Sequence, residues 1–178
     1  DIGCGWGTLC HYIQQQAQVK GIALSHNQIN ECQQRYPDIE FEYRDYREEK
    51  GLYDRIVSVG MMEHVGIENI PTFLEQISNL LKPGGLCLIH YLGPYDNIFI
   101  GKDHESHPSW GSVLMPNAKS PTHAEFIRMI MNNGNLRILH TETFSIHYAR
   151  TGKCWLNNLE KKSRRNSAKL PAQGLPFT

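Results

Sequence analysis

Apolar strand-like runs alternate with amphipathic helix-like segments along this chain, and that alternation restricts its possible folds more than any other feature. The predicted strands are Val19–Leu24, Ile39–Tyr43, Arg55–Gly60, Leu86–Leu92 and Leu136–Ile146. The predicted helices are Thr8–Gln18, Ser25–Arg35, Asn69–Leu81, Thr122–Asn133 and Trp155–Lys162. Strands and helices in this order predict an α/β fold with a mostly parallel sheet and helices on both faces. Ligands of such sheets bind beyond the carboxyl ends of the strands.

The composition is that of one globular domain. The chain has 178 residues, of which 40% are apolar and 20% charged. Its longest apolar runs, such as Leu86–Leu92, are much too short to span a bilayer, and no signal peptide is visible. The five cysteines are scattered without a C-x-x-C pair, which argues against a zinc knuckle or a disulfide framework and favours the cytoplasm. The spacing of the histidines predicts no metal site.

A net charge of zero conceals two oppositely charged parts. Residues 1–149 contain 11 Lys and Arg against 17 Asp and Glu, whereas residues 150–178 contain seven basic residues against Glu160 alone. A basic end of this kind indicates an anionic surface as partner, or only a solvated terminus. No aromatic and basic interleaving accompanies it, so nucleic-acid binding is not predicted.

A glycine-rich segment opens the chain, with Asp1 followed by Gly3, Gly5 and Gly7. Glycines let a backbone turn tightly and approach a ligand closely, and the helix that follows adds N–H donors. The spacing D-x-G-x-G-x-G is typical of S-adenosylmethionine (SAM) methyltransferases, whereas dinucleotide sites use G-x-G-x-x-G. We expect Asp1 to reach the amino group of SAM, with Gly3 and Gly5 beside it. NAD binding and a structural turn stay open as alternatives.

The next two predicted strand ends offer further cofactor contacts. Leu24 and Ser25 stand where dinucleotide-binding proteins have an acid for the ribose, which counts against NAD. Gln28 could supply an amide to the ribose hydroxyls, or only complete a capping box with Ser25. Asp45 could accept the adenine amino group and Tyr46 could stack on the base, although the charged residues around them also fit a solvated turn.

Four motifs, in matching order and spacing, then reveal a family resemblance: D-I-G-C-G-W-G, L-S-x-N-Q, D-R-I-V-S-V-G-M-x-E-H-V-G and L-K-P-G-G. They resemble those of the cyclopropane-fatty-acyl-phospholipid synthases and the related mycolic acid cyclopropane synthases. The resemblance extends from Asp1 to about Trp155. It implies a Rossmann-like class I SAM-dependent methyltransferase fold, with Val59 also at the cofactor.

The resemblance also implies a reaction. The SAM methyl group is transferred to the cis double bond of an unsaturated phospholipid acyl chain, and loss of a proton closes a cyclopropane ring. A bound bicarbonate ion takes that proton, and the resemblance places it among Glu63, His90, Tyr148 and the backbone of Leu92. Without the family, each side chain has a structural interpretation: a helix-capping Glu63, a core His90, a core Tyr148. Two alternative functions stay open. The chain could be another SAM-dependent methyltransferase that acts on a lipid or a small molecule, or it could be a non-catalytic SAM-binding fragment.

The sequence departs from the family at both ends. The first strand should precede Asp1, and the family's amino-terminal helical segment and closing strand find no match. We therefore interpret the chain as a fragment truncated at both ends, with a methyltransferase domain over 1–160 and a disordered basic tail over 161–178. We expect weak stability and little activity from this stretch alone. Peripheral association with the inner face of the membrane is expected, and a homodimer stays open.

Overall fold

The computed structural model describes residues 1–93 and 120–167, which fall into two units divided after Ile138. The strands are β1 Lys20–Ala23, β2 Glu40–Tyr43, β3 Tyr53–Val59 and β4 Leu81–His90. The helices are α1 Thr8–Ile13, α2 His26–Arg35, α3 Ile70–Leu80, α4 His123–Asn133 and α5 Ser145–Ser167. Short 3₁₀ turns cover Tyr46–Glu48, Met62–His64 and Ile67–Asn69. None of the helices within these described ranges is long and apolar enough to cross a membrane.

The strands form two parallel pairs, β1 with β2 and β3 with β4. The opening residues connect the two pairs. Ile2 forms a parallel bridge with Ile22 of β1, and its N–H donates to the carbonyl of Val57 in β3 at 2.8 Å. The spatial order is therefore β2, β1, the opening segment, β3 and β4, which confirms the predicted parallel sheet.

Helices cover both faces of this sheet, as predicted. Neighbouring residues of a strand point to opposite faces, and Ile22 belongs to one core cluster whereas Ala23 belongs to the other. The first cluster packs α3 and Phe126 of α4 against the sheet, and the second packs α1 and α2. The buried stripe of α3 recurs at helical spacing. It comprises Ile70, Phe73, Leu74, Ile77 and Leu80.

Two sequence predictions about β-structure were wrong. Residues 135–144 form no regular structure and pair with no described strand, and α5 begins at Ser145 where the strand Leu136–Ile146 was expected. The second concerns Pro83-Gly84-Gly85, which predicts the end of the preceding helix and a turn. Helix α3 does end before this segment, at Leu80. In place of a turn, β4 begins at Leu81 and the segment is absorbed by a register shift against β3, with Gly84 at φ 77°.

The remaining expectations concern segments at the edge of the described chain. Residues 93–119 are rich in Pro, Gly, Asn, His and Ser, a composition that predicts a long irregular loop. This segment lies outside the described residues except for Gly93. Residues 161–167, which were predicted to belong to a disordered tail, are part of α5. Residues 168–178 lie outside the described part of the chain.

Candidate functional site

The candidate site of the first unit lies at the carboxyl ends of its parallel strands. The residues that follow these ends are Gly3 after the opening segment, Leu24 after β1, Arg44 after β2, Gly60 after β3 and Tyr91 after β4. The ends of the opening segment and of β3 lie close together. A Cβ added to Gly3 would lie 2.5 Å from the Cγ atom of Met61, which follows β3. The sequence-predicted residues of this unit therefore collect at one edge.

The three glycines of the opening loop all have left-handed backbones, with φ of 82° at Gly3, 54° at Gly5 and 74° at Gly7. Their surroundings differ. Gly3 is crowded by Met61, and Gly7 is crowded by Phe41 and a thiol, so packing within the protein excludes side chains there. A Cβ on Gly5 would meet nothing within 4 Å. Gly5 is thus the position where the loop is open to a ligand.

Asp1 is half-buried beside this loop, and its backbone carbonyl accepts the N–H of Ile22 at 3.0 Å. Its Oδ2 atom accepts a hydrogen bond from the Sγ of Cys10 at 3.3 Å. A carboxylate offers about four acceptor positions, so this thiol leaves capacity for an ammonium group. The residue thus fits the amino group of SAM.

The residues after β1 combine an exposed apolar side chain with a helix cap. Leu24 is 60% exposed. Ser25 is the N-cap of α2, and its hydroxyl accepts the N–H of Gln28 at 3.4 Å. Only the Ser25 half of the predicted capping box is recorded among the described residues, so the side chain of Gln28 is not committed to the cap.

Asp45 and Tyr46 follow β2, and both are engaged with the protein. The Oδ1 atom of Asp45 accepts the backbone N–H of Arg47 at 2.9 Å and its Nε at 3.0 Å. This contact with the Arg47 guanidinium lowers the pKa of Asp45. The Tyr46 ring packs edge-on against Phe73 at a centroid distance of 5.2 Å, and burial raises its pKa. The turn is therefore ordered by contacts within the protein. If Asp45 and Tyr46 bind adenine, they do so while they keep these contacts.

Glu63 is the most unusual polar residue of the site. It lies in the 3₁₀ turn Met62–His64 after β3 and is only 2% exposed. Within residues 1–93 and 120–167, no group donates a hydrogen bond to its Oε2 atom. Leaving a buried carboxylate oxygen without a donor costs several kcal/mol. This atom therefore fits a small polar ligand that carries an O–H donor, as bicarbonate does.

His90 is brought to the same place by the pairing of β3 with β4. It is the register partner of Val59, and its carbonyl accepts the N–H of Gly60 at 2.9 Å. A Cβ added to Gly60 would lie 3.9 Å from Oε1 of Glu63. Glu63, His90 and the exposed Val59 thus flank one glycine at the carboxyl ends of β3 and β4.

The backbone carbonyl of Leu92 lies two residues beyond His90 and is already in use. It accepts a hydrogen bond from the hydroxyl of Ser120. A carbonyl oxygen has two lone pairs, so one acceptor position is left for a ligand.

Tyr148 differs from the other predicted site residues in its secondary structure. It belongs to the second unit, in α5, and is 43% exposed. The strand predicted over Leu136–Ile146, just before Tyr148, is absent, because residues 135–144 form no regular structure and α5 begins at Ser145. Its role at the bicarbonate stays a prediction from the sequence.

Three residues at the site were missed by sequence reasoning: Met61 on Gly3, Cys10 on Asp1 and Ser120 on Leu92. All three contacts join positions that no motif or periodicity links. Met61 alone lay inside a quoted motif, where its neighbour Gly60 could have drawn attention to it. Among the described residues, no group of three or more potential ligands could hold a metal ion.

Comparison with known proteins places the chain in a family. Residues 1–173 match the family model described as "Mycolic acid cyclopropane synthetase". A "Probable fatty acid methyltransferase" of Pseudomonas putida is 29% identical over 98% of this chain and 47% of its own length. The cyclopropane-fatty-acyl-phospholipid synthase of Escherichia coli is 42% identical over 52% of this chain and 25% of its own. A sphingolipid C9-methyltransferase of Candida albicans is 32% identical over 89% of this chain and 34% of its own length.

A solved structure shows the same fold. The cyclopropane synthase MmaA2 from Mycobacterium tuberculosis superposes with a TM-score of 0.77 at 24% identity, over 94% of this chain and 64% of its own. This likeness confirms the class I SAM-dependent methyltransferase fold. The chain spans less than half the length of the curated relatives that it matches.

Proposed function

Because this chain belongs to the mycolic acid cyclopropane synthetase family, we propose that it transfers a methylene group from SAM to the cis double bond of an unsaturated phospholipid acyl chain. The product is a cyclopropane fatty acid. The observation that supports this reaction over simple methyl transfer is the buried Glu63 carboxylate, whose Oε2 has no donor within the described chain. Simple methyl transfer to a nitrogen or oxygen forms no carbocation for such a group to stabilise.

The cofactor contacts follow the strand ends. Bound SAM supplies the methyl group as an electrophile. Asp1 binds its ammonium group, and Gly3 and Gly5 let the loop backbone approach it. The ribose and adenine lie along the next strand ends. The residues proposed there are Leu24, Ser25, Gln28, Asp45, Tyr46 and Val59.

Addition of a methyl group to a double bond leaves a carbocation on the acyl chain, and the site residues must stabilise it and then remove a proton. A carboxylate stabilises a nearby positive charge most strongly where water is excluded. Glu63 fits this need because it is buried beside the fully buried Met62. Ring closure further requires a base within hydrogen-bond reach of the new methyl group.

We propose that a bicarbonate ion is that base. Bound there, it would accept the proton. The Oε2 of Glu63 would take the hydrogen bond of its O–H group. His90, whose backbone carbonyl accepts the N–H of the neighbouring Gly60, is proposed as a further contact. The free acceptor position of the Leu92 carbonyl would take any further donor, such as a water molecule beside the ion. The role of Tyr148 rests on the family resemblance.

The substitution Glu63→Gln tests the proposal. Gln has nearly the same shape but replaces one acceptor oxygen by an N–H₂ donor. We expect methylene transfer to phospholipid vesicles to fall about a hundredfold or more, while SAM binding by calorimetry is unchanged. Mass spectrometry of the lipids measures the added methylene, and fragmentation locates the ring. The exposed Glu68 gives the control Glu68→Gln, which should keep full transfer.

The relatives favour one alternative, methyl transfer to a lipid without ring closure, because they include a sphingolipid C9-methyltransferase and a fatty acid methyltransferase. The same lipid analysis separates the two reactions. A methyl-branched or methylene product in place of a ring favours the alternative. Equal rates for the wild type and Glu63→Gln contradict the role of Glu63 in either reaction.

The location of the protein is part of the proposal. The substrate lies in a bilayer, and the basic segment 150–178 is suited to anionic headgroups. We propose peripheral association with the inner face of the cytoplasmic membrane.

A further inference from the structure

The thiol of Cys10 is held in a fixed position beneath the opening loop. Cys10 lies in α1 with no exposed surface. Gly21 of β1 makes room for it, since a Cβ on Gly21 would lie 3.0 Å from the sulfur. From this position Sγ lies 3.3 Å from Oδ2 of Asp1. The sulfur has little freedom to move away from the carboxylate, because the helix and the strand enclose it.

The thiol is the donor in this contact. Burial raises the pKa of Cys10 to about 11, so the sulfur keeps its proton at neutral pH. An ionised carboxylate has only acceptors. The polarity of the pair is therefore fixed, with S–H donating to Oδ2, and the other acceptor positions of Asp1 stay available.

We propose that Cys10 is a positioning residue for SAM, which holds the Asp1 carboxylate in the orientation that receives the ammonium group of the cofactor's amino-acid part. This inference rests on the proposed function, in which Asp1 binds that ammonium. A thiol is a weak donor, but a hydrogen bond to a charged acceptor is stronger than one between neutral groups. Cys10 does not touch the cofactor and acts only through Asp1.

Calorimetry with two ligands on the full chain tests this role. S-adenosylhomocysteine carries the amino-acid part, and 5′-methylthioadenosine lacks it. We expect Cys10→Ala to weaken binding of the first about fivefold and to leave the second unchanged. Cys10→Ser, which keeps a donor, should recover part of the loss. Cys87→Ala, a thiol in β4 outside this contact, should change neither ligand.

A double variant separates positioning from packing. In an Asp1→Ala background, Cys10→Ala should cause no further loss of S-adenosylhomocysteine binding, because the carboxylate that it orients is gone. Equal weakening of both ligands by Cys10→Ala, or no weakening of either, would overturn the positioning role while leaving the proposed function intact. Failure of the wild type to bind S-adenosylhomocysteine would overturn both. Circular dichroism of each variant checks that it is folded.

Discussion

Gly3 and Gly5 have the same left-handed backbone but different neighbours, and this difference predicts different effects of substitution. Alanine in this conformation costs about 1–2 kcal/mol. At Gly3 the new Cβ would also lie 2.5 Å from Cγ and 2.7 Å from Cβ of Met61, atoms too near the backbone to move freely. We expect Gly3→Ala to lower the free energy of unfolding by about 3 kcal/mol and Gly5→Ala by about 1 kcal/mol, measured by urea unfolding.

The two variants serve as controls for each other because they lie in one loop. Gly5 faces open space where SAM is proposed to bind. The main effect of Gly5→Ala should therefore be weaker SAM binding, because the new methyl group would occupy part of that space. Equal stability losses at the two positions would show that Met61 does not restrict Gly3.

Tyr53 illustrates a residue whose contribution depends on pH. Its hydroxyl donates to Oε1 of the buried Glu49 at 2.6 Å, and burial together with this bond raises the pKa of Tyr53 to about 12. The folded state therefore favours the protonated phenol. The stabilisation is complete below the ordinary pKa of about 10 and is lost as the pH rises toward about 12.

We accordingly expect Tyr53→Phe to lower the free energy of unfolding by about 1–2 kcal/mol at pH 7. The difference between wild type and variant should shrink between about pH 10 and about pH 12, which denaturant unfolding across this range measures. The exposed Tyr12 gives the control Tyr12→Phe, for which no such convergence is expected. A difference that stays constant with pH would contradict the protonation argument.

At the scale of the element, α4 begins with a complete capping box. The Thr122 hydroxyl accepts the N–H of Glu125 at 3.3 Å, and the Glu125 carboxylate accepts the N–H of Thr122 at 2.7 Å. Loss of such a cap costs about 1 kcal/mol. We expect Thr122→Ala to lower the unfolding free energy by this amount in urea, and Thr122→Ser to restore it. A Ser variant as unstable as the Ala variant would assign the loss to packing of the buried methyl group.

The elements that the sequence predicted well are those in which a local signal and tertiary packing agree. The stripe of α3 and the caps Ser25 and Thr122 identify helices whose faces are buried or whose first N–H groups are satisfied. The strand expected over Leu136–Ile146 shows the opposite case. Its apolar residues suit a strand, but strand formation requires a neighbour to receive the backbone hydrogen bonds, and a local pattern cannot supply one.

The grouping of the candidate residues at strand ends could be predicted from the sequence, whereas the contacts of those residues could not. The family resemblance placed Glu63 and His90 together, and in the structure both lie at the ends of neighbouring parallel strands, beside Gly60. The Cys10–Asp1 bond depends on how α1 packs on β1, at a position where Gly21 leaves space. Such contacts come from tertiary packing, which has no counterpart in residue spacing.

At the scale of the whole molecule, the charge is divided along the chain rather than mixed. The residues before Arg150 carry an excess of six acidic groups, and the segment 150–178 carries an excess of six basic ones. In the second unit, α5 exposes apolar side chains alongside this charge. They are Ile146, Trp155, Leu156 and Leu159. A helix with exposed basic and apolar groups is suited to the interface of an anionic bilayer.

Each Lys or Arg near an anionic surface contributes about 1 kcal/mol of binding free energy. Added salt weakens this attraction, because the Debye length falls to about 3 Å at 1 M salt. We therefore expect the chain to co-sediment with phosphatidylglycerol vesicles at low salt, and less at high salt or with phosphatidylcholine. Replacing Arg150, Lys153, Lys161 and Lys162 by Gln should weaken binding at least about a hundredfold. The control Lys82→Gln, which lies in the acidic part of the chain, should leave vesicle binding unchanged. Binding that is insensitive to salt would assign the membrane contact to apolar residues instead of to this charge.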